Sequence, residues 1–340
     1  MKRTGLIILF TLLIWGLTQA QSIQNRVNIG FYNVENLFDT INDPNKNDEQ
    51  FLPEGDYQWT SEKYLLKLKM LSQVISDMAQ MPGGLAILGV SEVENESVLR
   101  DLIATELLAP YKLEVCHHES PDRRGVDVSF IYNPSRFKVL STKAFPLIFP
   151  ENPDFITRDQ WLMTGILDGE DTLHVIVNHW PSKSGGEKRS LPYRLGAGKL
   201  ARYIADSIMN ASPNAKIVIM GDLNDNPNSK SLMECLRTRT NTKDLAPNDL
   251  YNPMWQMYRN GVGSYAYRDS WELIDNIIVS AGLVNPVRGG YKFFMAHIFR
   301  KDYLLTKSGS YTNYPWRMYA GGIYQGGYSD HLPVYITLTK

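Results

Sequence analysis

Nine polar or ionisable side chains recur at the ends of short apolar runs in this 340-residue chain. Asn33 and Glu35 follow the run 27–32, and Glu92 follows 86–90. His179 follows 174–177, Asp222 and Asn224 follow 217–220, Asp275 lies inside 274–279, and Asp330 and His331 come just before 334–338. If the runs lie side by side, five carboxylates, two amides and two imidazoles converge. Hard oxygen donors without a thiolate suit Mg²⁺ first, with Mn²⁺ or Ca²⁺ as alternatives, and do not suit a structural zinc site. Carboxylates would hold the ion, the ion would neutralise phosphate oxygens and the leaving oxygen, and an imidazole backed by a carboxylate would handle a proton or the charged phosphate. Phosphodiester hydrolysis needs that combination.

The runs that must position these groups are β-branched, of strand length, and end in turn-forming clusters. Between some of them lie helical patterns. Residues 62–78 place Leu65, Leu68, Leu71, Val74, Ile75 and Met78 on one face, and residues 194–209 do the same with Leu200, Tyr203, Ile204 and Ile208. The layout is mixed α/β with many strands, with the polar groups at strand ends, where a sheet protein builds a site.

Each motif alone has an ordinary reading. Gly221-Asp222-Leu223-Asn224 fits a plain turn equally well. Ser91 with Glu94 fits a helix capping box, leaving Glu92 as a first-turn charge. A histidine such as His179, before Trp180-Pro181-Ser182, is more often packed than catalytic. Asp275 is harder to dismiss, since a carboxylate in an apolar strand needs a partner. The order and placement of the whole set reject the joint ordinary reading.

Six segments carry a resemblance: Phe31-Tyr32-Asn33-Val34-Glu35-Asn36-Leu37-Phe38, Gly89-Val90-Ser91-Glu92-Val93-Glu94-Asn95, Val177-Asn178-His179-Trp180-Pro181-Ser182, Met220-Gly221-Asp222-Leu223-Asn224-Asp225, Leu273-Ile274-Asp275-Asn276-Ile277 and Tyr328-Ser329-Asp330-His331-Leu332-Pro333. In this order they resemble the motifs of the endonuclease/exonuclease/phosphatase superfamily, which includes deoxyribonuclease I, abasic-site endonucleases, sphingomyelinases and inositol polyphosphate 5-phosphatases. The resemblance implies an α/β fold, a four-layer sandwich of two mixed β-sheets flanked by helices. It implies Glu92 as principal metal ligand, supported by Asn33, Glu35 and Asp330. Asp222 matches the aspartate that orients or deprotonates the attacking water, and Asn224 the amide that holds a phosphate oxygen. Asp275 and His331 match a carboxylate–imidazole pair, and His179 a second catalytic histidine. Arg158 is similar to a phosphate-contacting arginine of the deoxyribonuclease branch, although a surface salt bridge with Asp159 explains it equally well. Asp127, opening the run 128–132, is a candidate carboxylate partner for His179. Asn276 departs from the pattern, since relatives usually carry an aromatic residue or a histidine there.

Composition bounds the rest. Lys2 and Arg3, an apolar stretch over 6–17 and Thr18-Gln19-Ala20 read as a signal peptide over residues 1–20. The stretch is shorter than the ~20 residues a membrane span needs. The mature chain, 21–340, is expected to be a single catalytic domain, exported to the periplasm or the exterior, monomeric and without stable membrane association. Cys116 and Cys235 are too few for a disulfide scaffold, and either pair or sit as small hydrophobes. A formal charge of −1 supplies no global basic field, so any nucleic-acid affinity must be local. Lys183, Lys188, Arg189, Arg194, Lys199 and Arg202 form such a cluster, and aromatic residues in 251–271 and 311–328 could stack bases. The leading expectation is an exported nuclease of low sequence specificity acting on nucleic acid. The alternative is a phospholipid or inositol-phosphate phosphodiesterase or phosphatase of the same fold. A binding module that lost its chemistry has no reason to keep the whole constellation.

Overall fold

The computed structural model describes residues 25–340, so the proposed signal peptide lies outside the described residues. The strands and helices run as follows: β1 (Arg26–Leu37), α1 (Ser61–Ala79), β2 (Leu85–Val93), α2 (Glu96–Ala104), β3 (Glu114–His117), β4 (Asp127–Tyr132), β5 (Phe137–Phe145), β6 (Gln160–Leu167), β7 (Asp171–His179), α3 (Glu187–Ala211), β8 (Lys216–Asp222), β9 (Thr238–Arg239), β10 (Leu250–Tyr251), α4 (Trp255–Arg259), β11 (Tyr265–Tyr267), β12 (Ser270–Glu272), β13 (Asp275–Ser280), α5 (Ala281–Val284), β14 (Lys292–Ile298), β15 (Tyr319–Ala320), β16 (Ile323–Tyr324) and β17 (Val334–Thr339). One six-stranded sheet has the order β14-β17-β1-β2-β4-β3, and a seven-stranded sheet has the order β5-β6-β7-β8-β13-β10-β9. Both are mixed: β1 runs parallel to β2 and β7 parallel to β8, while their other neighbours are antiparallel.

Side-chain alternation makes the layers. Successive strand residues point to opposite faces. Val175 and Val177 of β7, with Val218 and Met220 of β8, therefore meet Ile29, Phe31 and Phe130 of the other sheet in the central core. Ile176, Ile217 and Ile219 point outward against Ala197, Ala201, Ile204 and Ala205 of α3. On the opposite side Leu88 and Val90 pack beneath Leu68, Leu71, Val74 and Ile75 of α1 and Leu99 and Leu102 of α2. This is the expected helix–sheet–sheet–helix sandwich, and all seven strand-like runs are strands within it.

The helices depart from expectation in detail. Leu65 is 62% exposed, one position off the stripe that Tyr64, Leu68, Leu71 and Ile75 bury, and Lys67 is buried on that face. Tyr203 is also exposed, because α3 packs through small residues, Ala197, Ala201 and Ala205, beside Ile204. Helix α3 starts at Glu187, ahead of the 194–209 pattern, and carries Pro192 inside it. Among the described residues no helix is long and apolar enough to cross a membrane. Cys116 and Cys235 are unpaired and half-buried, which leaves the disulfide alternative unrealised.

One glycine is needed where the site begins. A Cβ on Gly221 would run into the Asn178 carbonyl oxygen of the neighbouring strand, a backbone atom that cannot move aside. Gly221→Ala should destabilise the fold by about 1–3 kcal/mol, read as a lower denaturant midpoint at unchanged slope. An unaltered midpoint would show that the two strands can separate at no cost.

Candidate active site

The parallel pairs β1–β2 and β7–β8 each deliver their carboxyl ends to the same edge of the sandwich, the edge where open sheets present ligands. Register does much of the positioning. His179 of β7 pairs with Asp222 of β8, and Asp222 pairs with Asp275 of β13, so three functional groups stand in a row across three strands. In the other sheet Asn33 is in register with Ser91, after which both β1–β2 and β2–β4 lose register, and Glu92 sits at the irregularity. A bulge re-aims a side chain in this way. Glu35, Asn36, Glu92 and Asn224 all have left-handed backbone, with φ of 52°, 52°, 62° and 51°. Such conformations cost roughly 1–3 kcal/mol each and persist where the surroundings over-determine them.

The surroundings are hydrogen bonds. The Asn33 amide donates to Glu92 Oε1 and to Asp222 Oδ2, 3.1 Å in each case, joining the two sheets at the site. Asn33 Oδ1 accepts from the Glu35 N–H at 2.9 Å, and the Asn36 N–H donates to Glu92 Oε2 at 3.1 Å. Glu35 accepts from the Met318 N–H at 2.7 Å. The Asn224 N–H donates to Asp222 Oδ1 and its side chain to the Trp180 carbonyl, both at 2.9 Å. Asn276 fills the position where the family pattern has a bulkier residue: its amide donates to the carbonyls of Leu273 and Ile274 and its oxygen accepts from Asn252, which fixes the turn leading into Asp275.

Two imidazoles close the site. His331 Nδ1 meets Asp275 Oδ2 at 2.8 Å, and Ser264 Oγ donates to the same oxygen at 2.5 Å. His331 Nε2 points at Asp222 Oδ2 and Asp330 Oδ1, 3.8 and 3.7 Å away. His179 Nε2 lies 3.8 Å from Glu92 Oε1 and 3.7 Å from Asp222 Oδ2. The two rings carry opposite tendencies. Burial alone would lower the His331 pKa, but the Asp275, Asp330 and Asp222 carboxylates together raise it well above the ordinary value. Burial, aided by Arg158, Arg124 and His331, holds His179 well below it. Burial lifts the Asp222 carboxyl to about 7, and burial with the nearby Asp330 charge lifts Glu35 to about 8. Separated pKa values of this kind distinguish acid and base positions. The carboxylate excess fits a bound cation. Glu92, Asp222 and His179 offer donor atoms within 4.8 Å of one another, and the Glu92 and Asp330 side chains remain partly open to solvent, at 17% and 22% exposure.

Glu92, His179, Asp222, Asn224, Asp330 and His331 all line one cleft of about 710 Å³, with Arg124, Lys183, Tyr265, Tyr267 and Arg268 at its rim. Asp275, Asn33 and Glu35 lie buried behind it. Arg158 does not line this cleft. It is buried, with Nη1 on Asp122 Oδ2 at 2.9 Å and its other nitrogens on the carbonyls of His179 and Trp180, so it braces the end of β7. Its surface pairing with Asp159 is also absent, because Asp159 takes His118 Nε2 at 2.9 Å. Asp127 does not partner His179 either. Its Oδ1 accepts from Ser120, and His179 Nδ1 has no hydrogen-bond partner among the described residues. The basic cluster thins on folding: Arg194 is buried against Asp225, Arg202 pairs with Asp206, and Lys183 pairs with Glu272.

Sequence patterns miss three contributors. Ser264 gives no signal. Tyr265, in the aromatic stretch before Asp275, lays its ring against His331 with centroids 4.9 Å apart and bridges to it by backbone. Lys67 is buried beneath the site and donates to the Tyr328 carbonyl at 2.7 Å. Burial lowers its pKa while Glu35, Asp330 and Glu92 hold it up. A lysine amid Tyr64, Leu68 and Leu71 on a helical stripe is the available clue.

The Endonuclease/Exonuclease/phosphatase family matches over residues 28–340, a span containing every residue of the cleft. The chain belongs to this family. Solved structures of similar fold include zebrafish (D. rerio) TDP2 complexed with a single-strand DNA product, at 12% identity and TM-score 0.56, covering 93% of this chain and 99% of that one. The human Nocturnin catalytic domain with bound sulfate matches at 14% identity and TM-score 0.55, covering 94% and 95%. The mannosyl-6-phosphatase Bt3783 of Bacteroides thetaiotaomicron matches at 15% identity and TM-score 0.52, covering 92% and 100%. At these identities the likeness is one of fold. No curated protein sequence matches. Membership in the endonuclease/exonuclease/phosphatase family makes this a phosphoesterase fold, as the six motifs imply.

In chelator-treated protein the His331 ring should remain protonated well above pH 6.5, its ordinary value. Asp275→Asn removes the carboxylate in direct contact and should lower the midpoint by about one pH unit or more, followed by NMR titration of the ring protons. An unchanged midpoint would remove Asp275 as the source of the charge on His331.

Proposed function

We propose that this protein is a metal-dependent phosphodiester hydrolase, exported through residues 1–20, that acts on nucleic acid with little sequence preference. The reading rests chiefly on one observation: the row His179–Asp222–Asp275 across three strands, closed by His331 from a fourth segment. Glu92 and Asp330, with Asn33 and Glu35 behind them, would hold a hard divalent ion, Mg²⁺ best by donor type. Bound there, the ion would neutralise phosphate charge and stabilise the leaving oxygen.

The protein groups divide the remaining work. Asp222, buried and held near neutrality in its pKa, aligns the attacking water and can accept its proton. The Asn33 and Asn224 bonds fix both of its oxygens, so the carboxylate does not reorganise during the reaction. His331, kept as imidazolium by Asp275, presents Nε2–H to a phosphate oxygen. His179, held neutral by burial, contributes a second donor, this one uncharged, and the Asn224 amide a third. The water-poor floor, with Asp222 at 2% exposure, strengthens each of these contacts.

Tyr265 and Tyr267 at the rim, with Arg124 and Arg268, support the nucleic-acid reading, since flat aromatic faces stack bases and guanidinium groups meet phosphates. The burial of Arg194 and Arg202 favours a second reading, a compact phosphorylated polyol or sugar as substrate, because it removes part of a track for a long phosphate backbone.

Asp222→Ala and His331→Ala should each reduce turnover by roughly 10²–10³-fold or more with far-ultraviolet circular dichroism unchanged, and excess EDTA should abolish it. The purified protein should be offered plasmid DNA, RNA, sphingomyelin and inositol or sugar phosphates in parallel with Mg²⁺, Mn²⁺ or Ca²⁺. Hydrolysis of the small phosphate esters alone would replace the nuclease reading with the second one, and full activity in chelator would remove the metal from both.

A further inference from the structure

On the hairpin between β3 and β4, beside the catalytic cleft, three donor atoms face one another. The antiparallel register sets His117 opposite Ser129, and Ser129 Oγ lies 2.6 Å from His117 Nδ1. Without metal the ring hydrogen-bonds Glu119 Oε1 through Nε2; in the other tautomer, with Nδ1–H directed at the Ser129 hydroxyl, the Nε2 lone pair is available to an ion. Nε2 lies 3.0 Å from Glu119 Oε1 and 3.6 Å from Asp127 Oδ2. The second oxygen of each carboxylate is already engaged. Lys46 Nζ sits 3.8 Å from Glu119 Oε2, and Asp127 Oδ1 accepts from the Ser120 N–H at 2.9 Å and from the Ser120 hydroxyl. Asp127 is fully buried, yet its Oδ2 has no hydrogen-bond partner among the described residues. A buried carboxylate oxygen without a partner is costly unless something else meets it. The atom next to it is the imidazole nitrogen.

We propose that His117, Glu119 and Asp127 form a second metal site, which takes a borderline transition ion of the Zn²⁺ class. Four ligands at 2.0–2.1 Å in a tetrahedron stand roughly 3.3 Å apart, and the separations of 3.0 and 3.6 Å bracket that figure. An imidazole donor beside two carboxylates selects Zn²⁺ over Mg²⁺ or Ca²⁺. Ser129 on the far ring nitrogen and Ser120 on the far carboxylate oxygen supply the outer hydrogen bonds that orient metal ligands. Three protein ligands leave a fourth position for water, and the half-exposed Glu119 gives the ion a way in. The same hairpin carries Asp122, which holds Arg158 against the carbonyls of His179 and Trp180, and Arg124, which lines the cleft. An ion here would fasten the loop that braces the catalytic strand end, and the proposal stands independently of what the cleft hydrolyses.

The test uses the chelator-stripped mature chain carrying Glu92→Gln and Asp222→Asn, so that the catalytic donors are weakened. Zn²⁺ is titrated by calorimetry, with bound metal counted by mass spectrometry after dialysis and the thermal midpoint followed. One Zn²⁺ per chain and a higher midpoint are expected, with Mg²⁺ and Ca²⁺ failing to compete. His117→Ala should abolish binding. Glu119→Gln, a half-exposed change that leaves folding intact, should weaken it by about tenfold or more. Zn²⁺ affinity and stoichiometry that ignore both substitutions, or equal occupancy by Mg²⁺, overturn the proposal.

Discussion

The Asn33 amide, donating at once to Glu92 and to Asp222, is the contact on which the rest of the site depends. Glu92 belongs to one sheet and Asp222 to the other, and bringing two carboxyl groups together is costly whenever both ionise. Two like charges about 4 Å apart repel by about 4 kcal/mol at an effective dielectric of 20, so the sandwich would tend to open at this edge. A single neutral group with two N–H donors holds the carboxylates together without cancelling the charge that a cation needs. Lys67 from below and His331 from the side offset part of that charge, which leaves a binding site that is acidic but folded. The left-handed residues and the register breaks follow from the same demand, because Glu92 reaches Asn33 only by leaving the regular path of β2.

Asymmetry between the two histidines comes from the strands that bear them. His331 is backed by a carboxylate because the Tyr265 backbone bridge places it over Asp275, with Ser264 reinforcing the same oxygen. His179 ends a strand whose neighbouring cation, Arg158, is directed at its carbonyl and is buried with it. Both rings have Asp222 within 4 Å, but only His331 is hydrogen-bonded to a carboxylate, whereas burial, aided by Arg158 and Arg124, keeps His179 low. Opposite protonation follows from placement, with no difference in intrinsic chemistry. A phosphate entering between them would meet one charged donor and one neutral donor.

The sequence reveals those features whose physics is local. Alternating β-branched runs declare the seven central strands, and carboxylates at their ends declare the site, because a charged group in or after an apolar run is too costly to bury without a partner. Hidden from the sequence are the features that depend on partners far along the chain. β5 is largely exposed and carries no burial pattern to detect, and Ser264 matters only because β11 and the segment before β17 happen to meet. Residue type and the adjacent Asp159 suggest a phosphate or a surface pair for Arg158, whereas its actual acceptors lie at 122, 179 and 180. Position along the chain points Asp127 to the wrong histidine for the same reason. Strand pairing of β3 with β4 brings it to His117, and no spacing rule could show that.

Charge counted along a sequence is a poor guide to charge presented to a substrate. Of the six basic residues after His179, Arg194 and Arg202 turn inward to aspartates and Lys183 is bound to Glu272, whereas Lys188, Arg189 and Lys199 remain exposed. Arg124 and Arg268, outside that cluster, take places on the cleft rim instead. The strand ends that would hold an ion and a phosphate are largely buried, so on the proposed reading they would serve any phosphate ester whose phosphorus can reach Asp222. Choice among esters must therefore lie with the rim, where Arg124 is fixed by the 117–127 hairpin and Arg268 and Tyr267 by the β11–β12 turn. On that reading substrate preference would be set by loops that also brace the row, the 117–127 hairpin through Asp122 and Arg158 and the β11 segment through Ser264 and Tyr265, so the reaction is read from strand ends and the substrate from the cleft mouth.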